Sequence, residues 1–139
     1  VIKHLLSFLL CCNVFAGQYN ENEIVATVLI LEAGGEKDDR CMSAIYEVIC
    51  NRQIKRHLSK IEVCLQKYQF SEFNDGKIKE KIAKAKKHPK YKKALSLISM
   101  KTDYTQGATH FYSTNIAKPY WAKKMKETLA LGAFKFYKE

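Results

Sequence analysis

The stretch that decides the fold is NENEIVATVLILEAGG, Asn20 to Gly35. Asn20-Glu21-Asn22-Glu23 reads as a capping box, which satisfies the first free amides of a helix. Ile24, Val28 and Leu31 recur at spacings of four and three, with Val25 and Leu29 beside them. Gly34-Gly35 ends the helix. Glu32 therefore falls in its last turn. There the negative end of the helix and the apolar neighbours both disfavour a charged carboxylate. A carboxyl kept protonated near neutrality is what a general acid needs to protonate a glycosidic oxygen. The two glycines leave room for a bulky substrate. Taken alone, a Glu at a helix end is usually a plain surface group.

Working outward, a second helix is predicted from Asp38 to Lys55. Asp38 and Asp39 suit its positive end, and Arg52, Lys55 and Arg56 its negative end. Met42, Ile45, Val48 and Ile49 make its buried stripe. Ser59-Lys60-Ile61-Glu62 is a second capping box, opening a short helix. Tyr68 to Gly76 reads as an aromatic-rich loop. Lys77 to Met100 reads as two helical pieces split by Pro89. Ile78, Ile82 and Ala85 line the first piece, and Tyr91, Leu95 and Ile98 the second. Between Lys77 and Lys93 stand nine lysines and one acid, Glu80. That run is either a solvated outer face or an electrostatic footprint for an anionic polymer.

The last third changes character. Ala108 to Ser113 is rich in β-branched and aromatic residues. Ala133 to Lys138 alternates with period two, and Gly132 marks a turn after Thr128 to Leu131. The fold class is α+β: helices first, then a small C-terminal antiparallel sheet.

The chain has 139 residues, 24 Lys+Arg against 14 Asp+Glu and a formal net charge of +10. That length suits one domain and excludes a two-domain dinucleotide enzyme. No apolar run is long enough for a membrane span. The charge points to an anionic partner, with nucleic acid, anionic lipid and wall polymer all qualifying. Residues 1–16 read as a signal peptide: Lys3, an apolar core from Leu5 to Cys12, then Val14-Phe15-Ala16 as the small-x-small cleavage site. Residues 17–139 then form a single domain, secreted, periplasmic or at the cell wall, and monomeric. The membrane is met only in transit. Cleavage removes Cys11 and Cys12 and leaves Cys41, Cys50 and Cys64. Either Cys64 forms a disulfide with Cys41 or Cys50, most simply Cys50, closing a short loop for about 3 kcal/mol, or all three are free thiols.

An ordered set of motifs resembles the SleB/CwlJ-type cell wall hydrolases. Ile24-Val25-Ala26 through Leu31-Glu32-Ala33-Gly34-Gly35-Glu36 looks like the opening motif of that family. Asn51-Arg52, Val63 and Gln69-Phe70-Ser71 follow in the family's order. Asp103-Tyr104-Thr105-Gln106-Gly107-Ala108 resembles its DPTxGA turn, with Tyr104 where the family usually has Pro. Phe111-Tyr112, Trp121, Thr128, Gly132, Phe134 and Phe136 resemble its closing segment.

The resemblance implies a lysozyme-like catalytic domain that cleaves peptidoglycan glycan strands. It implies Glu32 as the catalytic acid/base, in a lytic transglycosylase reaction between N-acetylmuramic acid and N-acetylglucosamine. Glu36 is read as a subsite or loop-ordering residue, with a plain surface carboxylate as the alternative. Asn51, Gln69 and Tyr112 are candidate hydrogen-bond partners of the sugar, and Phe70 and Tyr112 candidate ring faces. Asp103 is expected to cap backbone amides of its turn. The reaction needs no cofactor, and His57, His88 and His110 lack metal-ligand spacing. Two other classes stay open: an N-acetylmuramoyl-L-alanine amidase, and a non-catalytic cationic binder of wall polymer or nucleic acid. The second lacks any nucleic-acid motif.

Overall fold

A computed structural model describes residues 19–66 and 76–139. The elements among these are α1 (Glu21–Ala33), α2 (Arg40–Arg56), α3 (Lys60–Leu65), α4 (Ile78–Lys86), α5 (Tyr91–Leu97), β1 (His110–Ser113), a 3-10 turn (Tyr120–Lys123), β2 (Lys126–Leu131) and β3 (Phe134–Lys138). The signal-peptide segment, the Cys11–Cys12 pair, and Gln69, Phe70 and Ser71 lie outside the described residues.

α1 starts where Asn20 accepts hydrogen bonds from the amides of Asn22 and Glu23, at 2.9 and 3.3 Å. The helix is not one-sided, as the spacing suggests. Ile24 to Ile30 are all buried, while Leu31 is only half-buried. The reason is that α2, α3, α4 and α5 all pack around it. An apolar helix surrounded on all sides is the hub of the core. α3 has the full capping box: Ser59 accepts from the Glu62 amide at 3.1 Å, and Glu62 accepts from the Ser59 amide at 2.6 Å. Pro89 separates α4 from α5, as expected. α5 buries Ala94 and Leu97, whereas Leu95 is turned out. α2 begins two residues later than expected. Asp38 receives the Arg40 amide and pairs with its guanidinium.

The three strands form an antiparallel sheet in the order β1-β3-β2. The last strand therefore inserts between the first two. β1 pairs Phe111 with Phe136, and β2 pairs Leu131 with Phe134. The period-two pattern gives the sheet two faces. Phe134 and Phe136 enter the main core with Phe111 packed on them. Tyr112, Tyr137 and Trp121 make a second aromatic cluster on the other side. Cys41, Cys50 and Cys64 are free thiols, so the disulfide between Cys50 and Cys64 is not made. Burial above all keeps Cys64 neutral: desolvation pushes its thiol far up, against the opposing charge of Arg52.

Candidate functional site

α1 holds Glu32 half-buried in its final turn. Three other elements meet around the helix end and the residues that follow it, Gly34 to Cys41. The first is the α4–α5 turn. A side chain on Gly34 would reach the Ile30 carbonyl at 2.5 Å and the His88 ring at 3.2 Å. Gly34 has an ordinary helical φ of −62°. Glycine is needed there because the Ile30 carbonyl bars a Cβ and the His88 ring packs closely on the same spot, so that room is not open to a substrate. Gly35 is exposed, and a Cβ added to it would meet nothing within 4 Å. Beside it, the Lys90 ammonium donates to the Glu36 carbonyl and pairs with Asp39 at 2.9 Å.

The second element is the start of α2, where Cys41 lies close to the Leu131 carbonyl, at 3.7 Å. The third is the β2–β3 turn at Gly132. A Cβ on that residue would stand 2.9 Å from both the Cys41 sulfur and the Glu36 carboxylate. Glu36 is therefore lodged against the hairpin turn. Burial pushes the Cys41 thiol up to about 11, and the charge of Glu36 adds to the rise.

A single helix, α2, anchors the segment that leads into β1. Buried Glu47 accepts four hydrogen bonds: from the Thr102 hydroxyl (2.7 Å), the Tyr104 amide (3.0 Å), and the amide and hydroxyl of Thr105 (2.8 and 2.9 Å). Glu47, not Asp103, caps this turn; Asp103 is exposed. One helical turn on, Asn51 donates its side-chain amide to the Ala108 carbonyl at 2.8 Å. Arg52 donates Nε to the Thr109 carbonyl at 2.6 Å. The residue is 4% exposed, and burial holds its guanidinium down to about 10, so it stays charged at neutral pH. Arg56 opposes that charge, while Cys64, Glu139 and Glu32 favour it. Arg52 and Glu32 thus feel each other electrostatically.

Asn51 sits where two clefts meet. One, of about 350 Å³, runs between α2 and residues 98–103 and is lined by Tyr46, Ile54, Ile98 and Met100 among others. The other, of about 210 Å³, is lined by Lys55, Gly107, Thr109 and Glu139. Glu32 lines neither. Tyr112 is 9% exposed, stacked on Tyr137 at 5.9 Å and edge-on to Trp121 at 6.1 Å. Its ring, read from the sequence as an open face for sugar, is buried in the second aromatic cluster. His110 packs against Trp121 at 5.2 Å, and burial together with the Arg52 charge holds its imidazole below its usual range. Among the described residues, no three His, Cys, Asp or Glu side chains come together to hold a metal ion.

Sequence reading misses Glu47, and it takes Arg52 only as a cation suited to the helix's negative end and as part of a family motif, not as a buried anchor of β1. One signal was available for Glu47: a lone carboxylate inside the apolar stripe from Met42 to Ile49 needs donors.

The profile of the family described as Cell Wall Hydrolase matches residues 36–137. The chain belongs to the cell wall hydrolase family. A search of curated proteins finds no match. Among solved structures, the catalytic domain of the Bacillus cereus SleB protein is similar with a TM-score of 0.61 and 23% identity, covering 86% of this chain and 92% of that one. At that identity the likeness carries the fold. Together the two findings bear out the membership in the SleB/CwlJ-type cell wall hydrolases suggested by the motif order, and the helix-rich α+β fold with its C-terminal sheet. The cell wall hydrolase profile spans Glu36, Asn51, Gln69, Phe70 and Tyr112; Glu32 lies four positions before its first matched residue and outside the match.

Proposed function

We infer that this cell wall hydrolase cleaves the glycan strands of peptidoglycan as a lytic transglycosylase, with Glu32 as its acid and base. The observation that carries this reading is the position of Glu32. It is the half-buried carboxyl in the last turn of the central helix, three residues before exposed Gly35 and four before the matched family segment begins.

In the first step Glu32 gives its proton to the oxygen linking N-acetylmuramic acid to N-acetylglucosamine. The bond from the muramic anomeric carbon to that oxygen breaks, and the glucosamine side leaves as an alcohol. The muramic 6-hydroxyl then attacks the same anomeric carbon, and the Glu32 carboxylate takes its proton back. The product is a 1,6-anhydro sugar, and water is not consumed. An internal nucleophile makes one carboxylate sufficient, whereas hydrolysis calls for a second at a defined separation. Glu36, lodged at the hairpin turn, shapes the site as a subsite residue in this reading. Asn51, on the rim of both clefts, contacts the sugar; Gln69 and Phe70 complete the set. Export by cleavage after Ala16 brings residues 17–139 to the wall as a monomer.

The test is Glu32→Gln assayed on purified sacculi. Removal of a general acid/base lowers turnover by about 10²–10⁴-fold. Wild-type lysis by the variant overturns the assignment. Product masses read the chemistry: anhydro-muropeptides support the transglycosylase, reducing ends support hydrolysis, and freed stem peptides support an amidase.

A further inference from the structure

The lysines between Lys77 and Lys93 form a layer of their own. α4 and α5 both pack on α1, turning Ile78, Ile82, Ala85, Ala94 and Leu97 inward. Their other sides face solvent. Lys86 pairs with Glu23 at 2.5 Å and Lys90 with Asp39, so these two are structural. Among the described residues, Lys79, Lys84, Lys87, Lys92 and Lys93 are exposed and make no ion pair. Among the described residues, the acids near the layer are Glu80 on α4 itself, and Glu23 and Asp39, which are already paired. A groove of about 280 Å³ runs along its edge, lined by Tyr19, Glu23, Lys79, Ile82 and Lys86.

We propose that this layer is a docking surface for a phosphodiester-linked wall polymer, an anionic chain distinct from the glycan that is cut. Three features select that partner. The layer is all lysine, with no arginine between Lys77 and Lys93. Lysine is a compact, hydrated point charge on a flexible stem, suited to mobile phosphates that need no fixed fork geometry. Among the described residues the layer offers no free ring for stacking bases: Tyr19 and Tyr91 are packed against the core and His88 against Gly34. A nucleic-acid groove combines charge with such rings and with arginine. Nor is the layer built to insert into a lipid surface. A membrane-lying helix turns its apolar face outward, and α4 turns it inward.

The position gives the docking a consequence. The α4–α5 turn touches Gly34 through His88 and Glu36 through Lys90. A polymer held along the layer lies beside the end of the helix that carries Glu32. Docking would keep the enzyme on the wall between cuts. It goes beyond the proposed cleavage, resting on that reading only for the compartment where the polymer is met.

The experiment uses the full chain, and cosedimentation with two wall preparations. One retains its poly(glycerol phosphate), and the other is stripped of phosphodiesters with hydrofluoric acid. The variant carries Lys79→Gln, Lys84→Gln, Lys87→Gln and Lys92→Gln. The control carries four exposed substitutions elsewhere: Lys118→Gln, Lys123→Gln, Lys124→Gln and Lys126→Gln. The wild type and the control bind untreated walls at least ~10-fold tighter than stripped walls at low salt. The layer variant loses that preference, and its log-log salt slope drops by about 3. Its turnover on stripped peptidoglycan stays at the wild-type level, which confirms the fold. Glu32→Gln keeps the binding, so failure of docking and failure of the catalytic assignment read out separately. The proposal is overturned if the layer variant binds untreated walls like wild type, if stripping makes no difference, or if a DNA duplex is bound more tightly than the phosphodiester walls.

Discussion

Replacing Glu47 by Ala should remove the clamp that holds residues 102–105 on α2. The carboxylate residue is 7% exposed and accepts four hydrogen bonds of 2.7–3.0 Å. A hydrogen bond to a charged group contributes about 1.5–3 kcal/mol. The Thr102 and Thr105 hydroxyls can rotate toward new partners, so their loss is partly recovered. The Tyr104 and Thr105 amides are fixed by the backbone, and together they set a floor of about 3 kcal/mol. Loss of the buried side chain's packing adds to this, and non-additivity within one network limits the sum to about 3–4 kcal/mol. Domains of this size lose about 4 °C of melting temperature per kcal/mol, so the midpoint falls by roughly 12–16 °C. Urea unfolding at neutral pH gives the free energy, and a thermal melt gives the second reading. Glu47→Gln keeps the shape and one acceptor oxygen, but turns an NH2 toward a donor, and should lose about half as much. A loss below ~1 kcal/mol for Glu47→Ala would refute the clamp, because a network with two fixed amide donors cannot be that cheap to break.

Two further outcomes follow from the geometry. Gly132 has φ +55°, and a Cβ there meets Cys41 and Glu36 at 2.9 Å. Gly132→Ala should cost about 1–3 kcal/mol, while Gly35→Ala, with open space around it, should change denaturant stability by less than ~0.5 kcal/mol. Equal effects at the two sites would contradict the hairpin packing. The third concerns acid. His110 has its folded pKa lowered, by burial first and then by Arg52. Between that lowered value and the unfolded value near 6.5 the unfolded chain binds the extra proton, so stability is full above about pH 6.5 and declines as pH falls. His110→Phe should flatten the denaturation midpoint from about pH 7.5 down to about pH 5.5 relative to wild type. An unchanged slope would show that His110 is not the group responsible.

Much of the fold was legible because it rests on short-range chemistry. Capping at Asn20 and Ser59, the break at Pro89 and the alternation from Phe134 to Tyr137 each depend on residues within a few positions of one another. The motif order carried the family for the same reason. The candidate site was legible only in part. The sequence placed Glu32 at a helix end, and no local rule told that Gly34 is a seat for His88, 54 positions away in the chain, rather than an opening for substrate. Asp103 had the right spacing to cap its own turn, but a better desolvated carboxylate on α2 took the amides.

What the sequence determined by itself was the kind and approximate place of the five described helices and of β1 and β3, the α+β class and the carboxyl in the last turn of the first helix. Local sterics and hydrogen bonding suffice for those. Only the tertiary structure decided that β3 sits between β1 and β2, that Tyr112 is buried against Trp121 and Tyr137, and that Arg52 is a buried cation holding β1. Each of these depends on surfaces from distant parts of the chain meeting. A side chain's exposure and charge state are set by what covers it, and the covering residues lie too far along the chain for periodicity to register.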